Sequence, residues 1–386
     1  MNSPERLAGS DALTLYDALT DGMRRFVRVD ELCRLACAAG VQWLPSQADL
    51  AAEAPLPQKD KQGHEKRLGA FLSAVLNDPT RGMHLCHAML LPRADSAAAL
   101  ETFRTQGAVQ LAGARVERRG KAAVVTMQNP RFLNAEDEST IAGLETAIDV
   151  ATLDEQSEVC VLRGGPVEHP KFAGRRLFGA GINLTHLYQG KIRYLWYILR
   201  DLGLVNKLYR GTAFADASPE VASTEKPWIA AVEGFAIGGH CQILLVMDYT
   251  IAADDAYMTL PARKEGIIPG AANLRMPRLA GDRVTRQAIM MDRRIPCASP
   301  EGRLMCDEVI GASSMDEAIG RTVDMLTSSG VVSAAGNRRA IRIAQEPFDT
   351  FRRYMAVYAR EQAYCHFSPA LIRNLEKNWD AANRRG

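Results

Sequence analysis

From Lys121 to about Gly281 the chain alternates short β-rich runs with segments of helical spacing, and no other feature restricts its fold as strongly. The runs are Ala122–Met127, Val159–Arg163, Trp228–Val232 and Tyr249–Ala253, and a helical segment over Glu138–Leu153 separates the first two. Strands that alternate with helices in this way predict an α/β domain with crossover helices.

The flanks read differently. Apolar residues recur at three- and four-residue spacing in Leu13-Tyr16-Leu19 and Leu68-Phe71-Leu72-Val75, which predicts helices over residues 11 to about 112. Pro45 to Gly63 is rich in Pro, Gln, Ala and charge and reads as an exposed connection. Ser96, with Ala97-Ala98-Ala99-Leu100 behind it, is a candidate N-cap. Beyond about Gly281 the strands are expected to stop, and Arg283–Met291, Asp316–Thr327 and Phe348–Ala363 read as helices. The expected organisation is a helical N-terminal domain over 1–113, an α/β core over 114–282 and a helical C-terminal region over 283–386.

Of 386 residues, 47% are apolar, and 47 basic side chains face 45 acidic ones for a net charge of +2. That balance offers no electrostatic footprint for a nucleic acid or an anionic membrane surface. Met1 to Arg6 shows no basic patch leading into an apolar stretch, so no secretory signal is expected. The most apolar region, Trp228 to Met247, is interrupted by Glu233 and by glycine and polar positions, and does not read as a membrane span. A soluble, cytoplasmic protein is expected. Eight scattered cysteines do not make a disulfide framework. Cys33 with Cys37, and His84 with Cys86 and His87, lack the paired C-x-x-C spacing of zinc sites, so packing is the expectation there and no metal is predicted.

Two glycine-bearing turns follow β-rich runs: Phe178-Gly179-Ala180-Gly181-Ile182-Asn183 and Gly234-Phe235-Ala236-Ile237-Gly238-Gly239-His240-Cys241-Gln242. Either they permit close packing, or they aim two backbone N–H groups at one oxygen, as a thioester carbonyl gaining enolate charge requires. The run from Lys226 through Gly239, followed by Gly266-Ile267-Ile268-Pro269-Gly270, resembles the enoyl-CoA hydratase/isomerase (crotonase) superfamily over roughly Val116 to Met291. The resemblance implies a spiral of β-β-α units and assembly as a homotrimer or dimer of trimers through a helical C-terminal region. It also places the two oxyanion amides on Ile182 and Gly239.

The hydratases of that family carry two glutamates where this chain has Gln242 and Ala262. Neither side chain titrates near neutral pH, so the acid–base pair for hydration is missing. Glu265, one helical turn after Ala262, either replaces the lost acid or is a solvated carboxylate.

A second resemblance covers more of the chain. Asn129–Glu138, His169–Arg176, Gly181–Tyr188, Leu202–Gly211 and the helical N-terminal extension are similar to the branch of the superfamily that oxidises dihydroxyphenylacetyl-CoA with dioxygen in arylglycine antibiotic biosynthesis. That branch uses no metal, flavin or other cofactor. The resemblance implies that Glu136, Arg200 and Gln242 hold ring hydroxyls, although an acid at 136 also suits helix capping. It implies an apolar oxygen pocket at Ala262 and Ile267. It further implies contacts to the acyl-CoA from His169, Pro170, Lys171 and Phe172 and from Ala180, Gly181, Ile182, Asn183, Leu184, Thr185 and Gly239.

Lys171, Arg175 and Arg176 suit CoA phosphates, while a solvated basic loop remains open for Arg175. Tyr194, Trp196, Tyr197 and Leu199 are expected to form a helix over the acyl pocket. Arg352, Arg353, Tyr364 and His366 are expected to reach a neighbouring subunit's CoA. The residue that removes the α-proton is not identified by sequence. The expected activity is therefore an arylacetyl-CoA 1,2-dioxygenase. The alternatives are another crotonase reaction, hydrolysis or isomerisation, and a noncatalytic acyl-CoA-binding subunit.

Overall fold

The computed structural model describes residues 9–384, and Met1 to Arg6 lies outside them. Its strands are β1 (Ala108–Leu111), β2 (Ala114–Arg119), β3 (Ala122–Met127), β4 (Val159–Gly164), β5 (Thr212–Ala213), β6 (Ser223–Thr224), β7 (Trp228–Val232), β8 (Phe235–Ile237), β9 (Tyr249–Ala253), β10 (Tyr257–Thr259), β11 (Ile295–Pro296) and β12 (Glu308–Ile310). Seven form one sheet in the order β1-β2-β3-β4-β7-β9-β12, and β11-β10-β8 form a second. Within the large sheet β1, β2 and β3 pair antiparallel, and from β3 onward every pairing is parallel. Strands β3, β4 and β7 are buried at every position, as parallel strands covered on both faces must be.

The spiral of β-β-α units is directly visible. Strand β7 enters the large sheet, β8 the small one, and helix Gly239–Leu244 returns the chain; β9, β10 and the short helix Ala262–Glu265 repeat the unit. Each turn thus presents a helix start at the junction of the two sheets.

Two expectations about strands need correction. Strand β1 lies inside the stretch read as helical, and β11 and β12 lie beyond Gly281, where strands were expected to stop. All three are short, two to four residues, and owe their form to pairing with a neighbour.

The N-terminal helices follow their apolar spacing. Val29, Leu32, Cys33, Ala36 and Cys37 are the buried face of helix Val29–Ala38, so both cysteines are core residues on a helical stripe. His84 Nδ1 lies 2.6 Å from the Tyr16 hydroxyl and its ring stacks on Phe26. Ser96 is not a cap: it opens helix Ser96–Gln106, and its hydroxyl donates to Asp149 at 2.8 Å. Pro45 to Gly63 is more ordered than an exposed connection, because Ser46 and Asp49 close a capping box on helix Gln47–Glu53. Buried Glu53 then accepts from Gly63 N and His64 N.

The C-terminal region returns to the N-terminal one. Helix Phe348–His366 lies along helix Lys66–Asn77, where a Cβ on Gly69 would stand 2.7 Å from Ala363 Cβ and Ser73 donates to Ala356 O at 2.6 Å. Among the described residues no helix is long and apolar enough to cross a membrane.

Candidate active site

The two glycine-bearing turns lie side by side. Gly179 bridges Ala236 and Glu136 bridges Ile182, both in parallel sense. In the second bridge Glu136 N donates to Gly181 O at 2.7 Å and Asn183 N to Glu136 O at 2.8 Å. A parallel bridge of this form engages the residues flanking Ile182, so the N–H of Ile182 itself is left over. Gly239 opens helix Gly239–Leu244 and its N–H has no intrahelical acceptor. Among the described residues neither amide meets an acceptor. Gly181 has φ of 78° and Gly238 of 54°, and a Cβ on Gly181 would lie 2.8 Å from Ile237 O and 3.3 Å from Gly239 N. The approach of the turns therefore requires glycine.

His240 ties the turns together, a role not assigned from sequence. It is fully buried, and its Nδ1 accepts from Gly181 N at 2.9 Å. Burial holds its pKa down to about 4, so at neutral pH the ring is uncharged and free to accept.

Next to the amides sits a buried polar set. Arg200 Nε donates to both Glu136 oxygens at 3.0 and 2.9 Å, Nη1 donates to Gln242 Oε1 at 2.9 Å, and Nη2 donates to Gly239 O at 2.7 Å. Burial works against the guanidinium charge, but Glu136 and Asp201 outweigh it and hold the Arg200 pKa above the ordinary arginine value. Glu136 thus serves Arg200 rather than capping the next helix, which begins at Ile141. The helix carrying Arg200 winds into π-helical turns over Arg200–Val205, and the consecutive residues Arg200 and Asp201 both reach the same cavity.

That cavity, of about 20 Å³, is lined by Ile182, Gly239, Gln242, Arg200, Ala262 and Ile267 together with Trp196, Tyr197, Glu265 and Tyr358. Such a volume holds about one water-sized molecule. Eight residues singled out from sequence, Trp196 and Tyr197 among them, therefore line one cavity. The wall is not wholly apolar, because Asp201 and Glu265 also face it. Glu265 is 4% exposed, so the solvated-carboxylate reading is wrong. Its burial, with Asp292 nearby, pushes its pKa up to about 7. Trp196 and Tyr197 roof the cavity as expected, while Tyr194 turns away and donates to Ala359 O at 2.5 Å. Trp196 Nε1 and the Tyr197 hydroxyl have no hydrogen-bond partner among the described residues.

The remaining predicted residues are not among those lining this cavity. Phe172 and Ala180 pack on the small cluster of Val167, Leu177 and Phe235, separate from the main core. His169 is half-buried, Pro170 and Lys171 are exposed, and Lys171 Nζ lies 5.3 Å over the Phe172 ring. Asn183 caps helix Leu184–Tyr188, accepting from His186 N at 3.1 Å, and Leu184 and Thr185 are half-buried on its first turn. Exposed Arg175 pairs with Asp255 at 2.7 Å, and Arg176 donates to Gly164 O at 3.3 Å.

Two expectations about the tail are overturned. Arg352 is 2% exposed and donates to Leu76 O and Asp349, and His366 is fully buried, so neither can reach a neighbouring subunit. Both face inward because the helix that carries them packs on the N-terminal helices. Arg353, paired with Asp349 at 3.1 Å, and Tyr364 are exposed.

The enoyl-CoA hydratase/isomerase family matches residues 117–336. The chain belongs to that family. A relative that is 45% identical over 350 residues, spanning 90% of this chain and 80% of its own length, is the (3,5-dihydroxyphenyl)acetyl-CoA 1,2-dioxygenase of Amycolatopsis orientalis. The short-chain-enoyl-CoA hydratase of Clostridium acetobutylicum is 27% identical over 228 residues, 58% of this chain and 79% of its own. Among solved structures, an enoyl-CoA hydratase from Mycobacterium avium subsp. paratuberculosis K-10 superposes with a TM-score of 0.57 at 20% identity, covering 69% of this chain and 98% of that one.

Proposed function

We propose that this crotonase-family enzyme is an arylacetyl-CoA 1,2-dioxygenase acting on (3,5-dihydroxyphenyl)acetyl-CoA, within arylglycine biosynthesis. The observation that carries the reading is the cavity in which the two unoccupied amides of Ile182 and Gly239 meet Arg200 and Gln242, with Ala262 in place of a hydratase carboxylate. The similarity to the Amycolatopsis enzyme over 90% of the chain supports it.

An arylacetyl thioester has an acidic Cα–H because ring and carbonyl share the carbanion, and two N–H donors stabilise the enolate oxygen further. The enolate passes one electron to dioxygen, and the two radicals combine as a Cα peroxide. The peroxide attacks the thioester carbonyl and expels CoA. Loss of the second Cα–H as the O–O bond breaks leaves the arylglyoxylate with both oxygen atoms. The electrons come from the substrate, so the scheme calls for no metal or organic cofactor. Glu136, Arg200 and Gln242 offer the acceptors and donors that desolvated ring hydroxyls need. Ala262 and Ile267 offer the apolar side of the cavity to dioxygen. Lys171 and Arg176, with the segments from His169 to Phe172 and from Ala180 to Thr185, receive the CoA portion.

Mass spectrometry of the product formed from (3,5-dihydroxyphenyl)acetyl-CoA under labelled dioxygen tests this. Two heavy oxygen atoms in the arylglyoxylate are expected. Release of CoA at the same rate under nitrogen would instead identify a hydrolase.

Assembly as a trimer or dimer of trimers belongs to the same proposal. Large apolar side chains exposed in the C-terminal region, among them Met290, Met291, Met325 and Ile341, support an interface there.

A further inference from the structure

We propose that Glu265 is the base that removes the α-proton of the bound arylacetyl thioester, a role that rests on the dioxygenase reading above. Three carboxylates surround the cavity or its polar set, and two of them are already engaged. Glu136 accepts both bonds from Arg200 Nε. Asp201 accepts from Ala271 N at 3.4 Å and lies among Arg200, Arg275 and Tyr358. Glu265 has no such partner: among the described residues no donor bonds its carboxyl and no cation pairs with it, although it is buried. A buried carboxyl left without donors, lining the same cavity as Ile182 and Gly239, is placed to exchange a proton with what enters that cavity.

The local structure aims it there. Glu265 follows Ala262 by three residues on one helical turn, so both side chains share a face. Helix Pro369–Trp379 packs behind this turn through Leu371, Asn374 and Asn378, none of them charged. The titratable groups that act on Glu265 are Asp292, after helix Ala272–Met291, and the Tyr197 phenol of the roof, while Arg200, Asp201 and Tyr358 line the same cavity. Asp292 is itself paired with Arg263 at 2.6 Å. The resulting pKa of about 7 is where a general base both stays ionised and accepts a proton readily.

In the step, the Cα–H bond breaks and its electron pair becomes the enolate, with the oxyanion on the two amides. The proton passes to Glu265. In turnover the departing thiolate takes that proton as the CoA thiol, and under nitrogen, where no thiolate departs, water that enters the cavity exchanges it for deuterium before it returns to Cα. Dioxygen is not involved, so the step can be watched alone.

The test is α-deuterium uptake by (3,5-dihydroxyphenyl)acetyl-CoA in heavy water under nitrogen, read by mass spectrometry, with affinity for a thioether analogue measured alongside. The parent enzyme is expected to exchange with a rate that rises through about pH 7 and then levels. Glu265→Gln should lose about 100-fold or more of that rate and the pH dependence with it, while keeping analogue affinity. Glu265→Asp, which keeps the carboxyl, should recover part of the rate and the pH dependence, and it carries the test if the amide variant does not fold. Exchange by Glu265→Gln at the parent rate, or a pH limb that survives the substitution, overturns the assignment. No exchange by the parent enzyme would instead bring down the enolate reading and this role with it.

Discussion

Glu265 and Asp201 face one cavity, yet their charges are answered differently. Burial pushes both pKa values up, but Arg200, Arg275, Ala271 N and Tyr358 oppose the shift at Asp201, whereas Asp292 adds to it at Glu265. This has a consequence for stability. Unfolded, Glu265 titrates near 4.5, and folded at about 7, so the fold holds the proton more tightly than the unfolded chain does. Its stabilising contribution is complete below about pH 4.5 and is lost as pH rises through 7, a change of up to about 3 kcal/mol. Glu265→Gln should therefore melt higher than the parent at pH 8, with the difference disappearing towards pH 5 in calorimetric scans. A Tm difference that does not vary with pH would contradict a buried, protonatable carboxyl. Sequence alone could place Glu265 one turn from Ala262, but not decide between solvent and cavity, because that depends on what packs over the turn.

At the scale of elements, the site is two turns locked by glycine. Gly181 combines a φ of 78° with backbone 2.8 Å from where its Cβ would be. Gly181→Ala should displace the Ile182 amide and lower kcat/KM by about 100-fold, the scale of losing one oxyanion donor. Gly107 makes the control, since it shares the left-handed conformation (φ 70°) but has nothing within 4 Å of its Cβ position. Gly107→Ala should lose stability by about 1 kcal/mol and leave kcat/KM as it was, which paired kinetics and melting curves would show. The β-rich runs Ala122–Met127, Val159–Arg163, Trp228–Val232 and Tyr249–Ala253 were legible because each is mostly apolar, with only Thr126, Arg163 and Thr250 as buried polar positions. Strand β12 was not, since three residues reading Glu-Val-Ile carry no pattern of their own and become a strand only beside β9.

Across the whole molecule, ion pairs bind distant segments. Glu346 accepts from Arg210 and Arg275 at 3.0 Å and from Arg278 at 2.7 Å. Burial raises its pKa, but these arginines outweigh that and bring it down to about 2. The sign is opposite to that of Glu265: the stabilisation is present above about pH 4.5 and is lost as pH falls towards 2. Glu346→Gln leaves buried guanidinium charge at Arg210 and Arg275 and should cost about 3–5 kcal/mol at neutral pH. The deficit should shrink in acid, and urea midpoints at pH 7 and pH 3 would reveal it.

The sequence by itself determined the spiral core, the two glycine turns and the identity of the polar set, because apolar runs, glycine at left-handed positions and long family motifs are local properties. What tertiary structure alone decided is where the tail goes. Helix Phe348–His366 docks on helix Lys66–Asn77, turns Arg352 and His366 inward, and sets Tyr358 on the cavity wall that also holds Glu265. Packing between segments some 280 residues apart, such as Ser73 on Ala356, is written in no local pattern. It follows from which apolar faces remain uncovered once each element has formed.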